Sequence, residues 1–169
     1  MKAAESGYYE AAVGKNAVFV RAHGLASMNN CLCVRDFVDH MLETGHLFVV
    51  FDLADCTGMD STFMGLLAGA ATYDLNEHTP GVAVVNADKS LQGLLKEVGI
   101  DELVLIESEP FEDPAIQFIR LPEKTDETER LACIVQAHQK LIPLSDQNEK
   151  IFGPLIASIE AEMKQKGMR

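Results

Sequence analysis

The seven residues Leu47-Phe48-Val49-Val50-Phe51-Asp52-Leu53 contain one polar side chain, Asp52, and lack the apolar–polar alternation of a half-wetted strand. A strand that is apolar on both sides must be covered on both sides, which points to the interior of a largely parallel sheet. The polar residues that follow, Ala54 to Asp60, read as a short turn. A helix opens at Ser61, with Phe63, Leu66, Leu67, Ala70 and Ala71 on one stripe. This strand–turn–helix order presents a hydroxyl at a helix N-terminus. Backbone N–H groups and the helix dipole favour negative charge there, so a phosphate can be held without unfolding the chain.

The flanking sequence extends the pattern. Residues 8–13 and 17–22 read as two strands around Gly14-Lys15-Asn16, a hairpin signal. Ser27 is a candidate cap for a helix carrying Val34, Phe37, Val38, Met41 and Leu42 inward, which Gly45 ends. Val82 to Val85 supply another strand. Ser90 opens a small helix with Leu91, Leu94, Leu95 and Val98, closed by Gly99, and Leu103 to Ile106 form a last strand. The order β-β-α-β-α-β-α-β describes an α/β fold with a mixed, mostly parallel sheet, because strands joined through single helices run parallel.

From Glu107 to Glu129 the sequence turns acidic and contains Pro110, Pro114 and Pro122, interrupted by a short element over 115–120. This marks a boundary between a domain with its linker, residues 1–122, and a C-terminal extension, residues 123–169. Asp126-x-x-Glu129 and Asp146-x-x-Glu149 read as capping boxes of two helices separated by Pro143, a helical hairpin. Pro154 falls inside the second pattern, where a kink or a later helix start is expected. Both apolar stripes need a cover, in the order packing on the domain, then a second copy of the chain.

Charge and composition narrow the chemistry. Fourteen basic and twenty-six acidic residues give a net charge of −12. Such a surface repels nucleic acid and anionic membranes, so neither is an expected partner, whereas a basic protein surface is. The apolar runs are far too short to span a membrane, and the N-terminal ten residues lack the apolar core of a secretory signal, so a cytoplasmic location is expected. Cys31, Cys33, Cys56 and Cys133 lack metal or redox spacing, and His23, His40, His46, His78 and His138 form no paired motif. No metal or cofactor is expected. His138 lies on an apolar stripe and reads as a partly buried, hydrogen-bonded histidine.

The residues Asp52-Leu53, Met59-Asp60-Ser61, Gly65-Leu66-Leu67, Val82-Ala83-Val84-Val85-Asn86 and Leu95-Lys96-Glu97-Val98-Gly99-Ile100 together resemble the STAS domains of bacterial anti-sigma factor antagonists, over residues 8 to about 108. The resemblance implies the STAS fold. It also implies that Ser61, which follows Met-Asp, is the residue phosphorylated by a partner kinase. Asp60, Thr62, Phe63, Met64 and Ser27 are then expected at the partner-binding surface. The implied partners are an anti-sigma factor with serine-kinase activity and a serine phosphatase, with a homodimer as a further option. The chain departs from the family at Phe63, where glycine is common, and after Gly24, where an acidic residue is common. Phe63 is expected to enlarge the apolar surface beside Ser61.

An enzyme is not expected. The motif holds no histidine to serve Ser61 as a base, there is no G-x-S-x-G elbow, and Gly65-x-x-x-Gly69 lacks the lysine of a phosphate-binding loop and suits close helix packing. The alternatives are a STAS scaffold or small-ligand sensor in which Ser61 only caps its helix, and a small hydrolase or transferase using Ser61 or Cys56.

Overall fold

The computed structural model describes residues 7–74 and 79–168; His78 and the first six residues lie outside it. Its elements run β1 (Tyr8–Val13), β2 (Val18–Ala26), α1 (Leu32–Glu43), β3 (Phe48–Met59), α2 (Ser61–Ala71), β4 (Gly81–Val85), α3 (Lys89–Glu97), β5 (Leu105–Ile106), β6 (Ile119–Arg120), α4 (Glu127–Leu141) and α5 (Asp146–Gln165). The six strands form one sheet in the order β5-β4-β3-β2-β1-β6. β2, β3, β4 and β5 run parallel, and β1 is antiparallel to both of its neighbours. The mixed, mostly parallel sheet expected from the sequence is the one found, with β6 added at the β1 edge by the 115–120 element.

The apolar run of β3 lies at the centre, where Phe51 and Leu53 are fully buried. The expected turn over 54–60 is instead more strand. β3 continues to Met59, but against β2 it carries two extra residues, one between the Arg21 and His23 pairings and one between Gly24 and Leu25. Bulges of this kind let polar residues occupy a strand without breaking the ladder. Asp52 braces the first bulge. One carboxylate oxygen accepts from Ala54 N (3.0 Å) and Asn86 Nδ2 (3.0 Å), and the other from Arg21 Nε (3.1 Å).

The two faces of the sheet are covered by different means. The crossover helices contribute Leu32, Val34, Val38, Phe63, Leu67, Leu91 and Leu95 to one core, shared with Val18, Val20, Val49, Phe51 and Val84 of the sheet. On the opposite face Phe19, Val50, Ala83 and Val85 pack against Ile116 and Phe118 of the acidic segment. Phe111 stacks on Phe19 with centroids 6.2 Å apart, and the Arg21 guanidinium lies 3.9 Å from the Phe118 ring centroid. The segment that reads as a linker is therefore a lid on the second face.

Helix starts follow local chemistry, in places one or two residues away from the expected cap. Asp88, not Ser90, caps α3 by accepting from Leu91 N. Asp126 caps α4 as expected, and Ser145, rather than Asp146, caps α5 by accepting from Asn148 N. Ser27 is not a helix cap: α1 begins at Leu32, and Ser27 Oγ instead accepts from Asn29 N in the preceding turn. α5 runs unbroken through Pro154.

The C-terminal hairpin packs back onto the sheet-bearing body. Cys133, Leu141 and Phe152 enter the main core, while Leu131, Ile134, Val135, Ile156 and Ile159 form a second cluster between α4 and α5. Asn148 ties the corner together, its buried Nδ2 donating to Val98 O (2.9 Å) and Leu141 O (2.7 Å). Replacing it with alanine strands two buried carbonyls. Asn148→Ala is expected to cost about 1–3 kcal/mol, read as a lower urea midpoint at unchanged m-value.

Candidate functional site

The site is built where β3 ends and α2 begins. Asp60, with extended backbone, caps α2: its Oδ1 accepts from Phe63 N (3.0 Å), its Oδ2 from Met28 N (2.8 Å), and its own N–H donates to Ala26 O (3.0 Å). One residue thus fastens the end of β2 and the turn after it to the start of α2. Ser61 becomes the first residue inside the helix, and its hydroxyl is not used in the cap. Helix capping is Asp60's role, which removes the reading of Ser61 as a cap.

The Ser61 hydroxyl is engaged by a residue 77 positions away. Ser61 Oγ lies 2.7 Å from His138 Nε2, and His138 Nδ1 lies 2.6 Å from Ile134 O. A carbonyl can only accept, so Nδ1 carries the proton and Nε2 is the acceptor for the serine O–H. His138 is 1% exposed, and the Phe152 ring from α5 sits against it with centroids 4.9 Å apart. Burial holds the imidazole below the ordinary histidine value, opposed by the Ile134 carbonyl and the Asp60 charge. The motif holds no histidine, as read from the sequence, but folding brings one to Ser61. The partner lies on α4, beyond the motif, and only folding brings it in. His138 is hydrogen-bonded as expected, but fully rather than partly buried.

Backbone proximity makes this contact possible. A Cβ placed on Gly65 would lie 2.3 Å from Ala137 O and 2.6 Å from Ala137 Cβ, so α4 rests on the bare backbone of α2. One turn further on, a Cβ on Gly69 would meet Lys140 Cγ at 3.6 Å. The Gly65-x-x-x-Gly69 spacing is a helix-packing groove, as its sequence suggested. At the other end of α4, Glu129 Oε2 meets Arg35 (3.3 Å) and Lys124 (2.5 Å), and both cations also pair with Asp36, which links α4 to α1.

The other residues expected at a partner surface are placed inside this arrangement. Phe63 is 0% exposed, with its ring 6.0 Å from that of Tyr9 and 6.3 Å from that of Phe51, so it adds nothing to the surface beside Ser61. Thr62 and Met64 are likewise buried, as is Ser27. Asp60 and Ser61 are half-buried, and the exposed neighbour is Met28, whose amide Asp60 holds. No periodic signal in the sequence singles out Met28.

Cys56 is buried, its Sγ donates to Gly58 O (3.2 Å), and burial pushes its thiol up, away from the thiolate a nucleophile requires. All four cysteines are free. Among the described residues no group of His, Cys, Asp and Glu is arranged to hold a metal ion, and no helix is long and apolar enough to cross a membrane. A cavity of about 240 Å³ opens between α1, α2 and α4, lined by Val38, Phe51, Gly65, Ala70, Cys133 and Ala137 among others, but not by Ser61 or His138.

The depressed basicity of His138 makes stability depend on pH. Between the unfolded value of about 6.5 and the lower folded value, the unfolded chain binds a proton that the folded chain refuses, so acid favours unfolding. Stability is expected to fall as pH drops below about 6.5. His138→Gln should lose less over the same interval, which thermal melts of the two proteins at matched pH will read.

No protein-family profile matches the sequence, and no curated protein sequence matches it. Solved structures do match. The chain superposes on the unphosphorylated form of the anti-sigma factor antagonist SpoIIAA at 14% identity, over 60% of this chain and 88% of that one, with a TM-score of 0.50. It superposes on an anti-sigma factor antagonist from Mycobacterium paratuberculosis at 15% identity, over 64% and 92%, with a TM-score of 0.53. Nearly the whole of each neighbour is matched, while more than a third of this chain lies outside the likeness. The protein therefore has the fold of the anti-sigma factor antagonists, the STAS fold.

Proposed function

We propose that this chain is an anti-sigma factor antagonist acting by partner switching through Ser61. Unphosphorylated, it binds an anti-sigma factor with serine-kinase activity and so frees a sigma factor; phosphorylated on Ser61, it lets go. A serine phosphatase resets the switch, and the nucleotide belongs to the kinase. In this reading the chain is a cytoplasmic regulatory protein without catalysis of its own. The observation that carries it is the division of labour at the start of α2. Asp60 takes the cap, which leaves the Ser61 hydroxyl on the first residue of a helix in a STAS fold.

The physics of the switch is charge. A phosphate adds about −1.5 to −2 charges beside Asp60. The helix N-terminus favours that anion by about 0.3–1 kcal/mol, whereas a partner face that must dock flush on Asp60 and Met28 is repelled by it. The net charge of −12 suits a basic partner surface met by electrostatic steering. Ser61→Ala protein used as bait in native lysate is expected to recover a serine kinase or anti-sigma factor. Ser61→Asp should recover it about 5- to 150-fold less well, the range of typical coupling energies. Identical partner lists from the two baits refute the reading.

The Ser61–His138 contact favours a second reading, because a serine hydroxyl on the acceptor nitrogen of an oriented neutral imidazole is the nucleophile–base arrangement of acyl transfer. That reading predicts that a fluorophosphonate probe labels Ser61 in the wild type and not in His138→Ala. Absence of labelling in both leaves His138 without a role as a base.

A further inference from the structure

The hydrogen bond from Ser61 to His138 has a consequence for when Ser61 can be modified. Ser61 Oγ and His138 Nε2 are 2.7 Å apart, with the imidazole wedged between α2, its own Ile134 carbonyl and the Phe152 ring. A kinase must reach that oxygen, and the imidazole already occupies one approach to it. A phosphoryl group on the same oxygen needs the space that the imidazole fills.

The element carrying His138 is suited to moving as a unit. α4 and α5 share their own apolar cluster, Leu131, Ile134, Val135, Ile156 and Ile159. α4 meets α2 closely at Gly65, Gly69 and Ser61, through the Ala137 backbone and methyl, the Lys140 stem and one hydrogen bond, while Cys133 and Leu141 reach the main core. The ion pairs that fasten its N-terminal end to α1, at Asp36, Lys124 and Glu129, are part-exposed, as screened surface pairs are.

We propose that the C-terminal helical hairpin is an intramolecular latch on the switch serine: docked, α4 holds the Ser61 hydroxyl on His138 and restrains its modification, and a phosphate on Ser61 expels α4 from α2. This rests on the phosphoswitch reading for its biological use but not for its physics. Docking of α4 and a phosphate on Ser61 oppose each other, so each weakens the other by the same factor. Release withdraws Cys133 and Leu141 from the main core and bares the Gly65–Gly69 face of α2, while the β2–β3 ladder stays paired.

The test uses the full chain with phosphoserine installed at position 61 by genetic encoding, so that no kinase is needed. Amide hydrogen exchange is compared among this protein, the unmodified chain and Ser61→Ala. The expected result is exchange in α4 faster by about tenfold or more in the phosphoserine protein alone, with β2 and β3 amides unchanged. Equal α4 protection in modified and unmodified chains overturns the latch. So does an equal loss in Ser61→Ala, which would assign the effect to the lost hydroxyl, or a loss of protection in the sheet, which would mean unfolding rather than release.

A steric variant tests the accessibility half. Gly65→Ala favours the helical state of α2 but places a methyl against the Ala137 carbonyl. In a Ser61→Cys background it is expected to speed alkylation at position 61 by iodoacetamide about tenfold or more, read by peptide mass spectrometry. An unchanged rate overturns the proposal that docked α4 restrains access. Failure of either test leaves the phosphoswitch standing, since that reading fails only in the partner comparison.

Discussion

Two helices touching at a glycine organise the end of this molecule that carries Ser61. Where α4 crosses α2, the Ala137 carbonyl and methyl occupy the space that any side chain at 65 would need. Because the axes come this close, a side chain of imidazole length one position further along α4 reaches Ser61. A larger residue at 65 would hold the helices apart, lengthen the 2.7 Å contact and leave the imidazole with one hydrogen-bond partner in place of two. The position of His138, the cover on Ser61 and the burial of Leu141 in the main core all follow from that one crossing.

Asp60 supplies the second constraint, and it acts through the backbone. Its carboxylate oxygens are both committed, one to α2 and one to the turn after β2, while its N–H pairs with the end of β2. The bulged end of β3 therefore delivers α2 at a fixed position relative to β2, whatever the exposed residues of the bulge are. Next to so tightly held a residue, Ser61 has little freedom of its own, and the direction of its hydroxyl is set by the helix start. Charge placed on that hydroxyl acts on a rigid edge, which is the condition for a local modification to be felt across an interface.

The sheet shows the same economy on its other side. The short acidic segment after β5 covers the face opposite the helices with Phe111, Ile116 and Phe118, and then donates β6 to the edge at β1. Asn86, the described non-glycine residue with a positive φ (59°), fixes this lid by bonding Phe111 through both its donor and its acceptor, and also reaches Asp52. The lid, the central strand and the β3 bulge are thus joined through two polar side chains.

Much of this was legible in one dimension. Apolar runs without alternation gave a parallel sheet interior, period-3.6 stripes gave the helices, and Gly99 at φ 84° ended α3 where the sequence placed a stop. Even the Gly65–Gly69 spacing announced a packing surface. What failed were features set by more than neighbours in sequence. The polar residues 54–59 were read as a turn because bulges are a property of two paired strands, and the cap of α2 was ambiguous between adjacent oxygen-bearing side chains. Thr62, Phe63 and Met64 were expected at the surface because a helix N-terminus alone does not say which side faces the core. Ser61 and His138 each carry a local signal, one a helix start and the other an apolar stripe, yet neither signal refers to the other. Their meeting depends on how α4 crosses α2, a distance in space with no counterpart along the chain, and so the sequence determined the elements and the place of Ser61 at a helix start while tertiary packing alone decided what its hydroxyl touches.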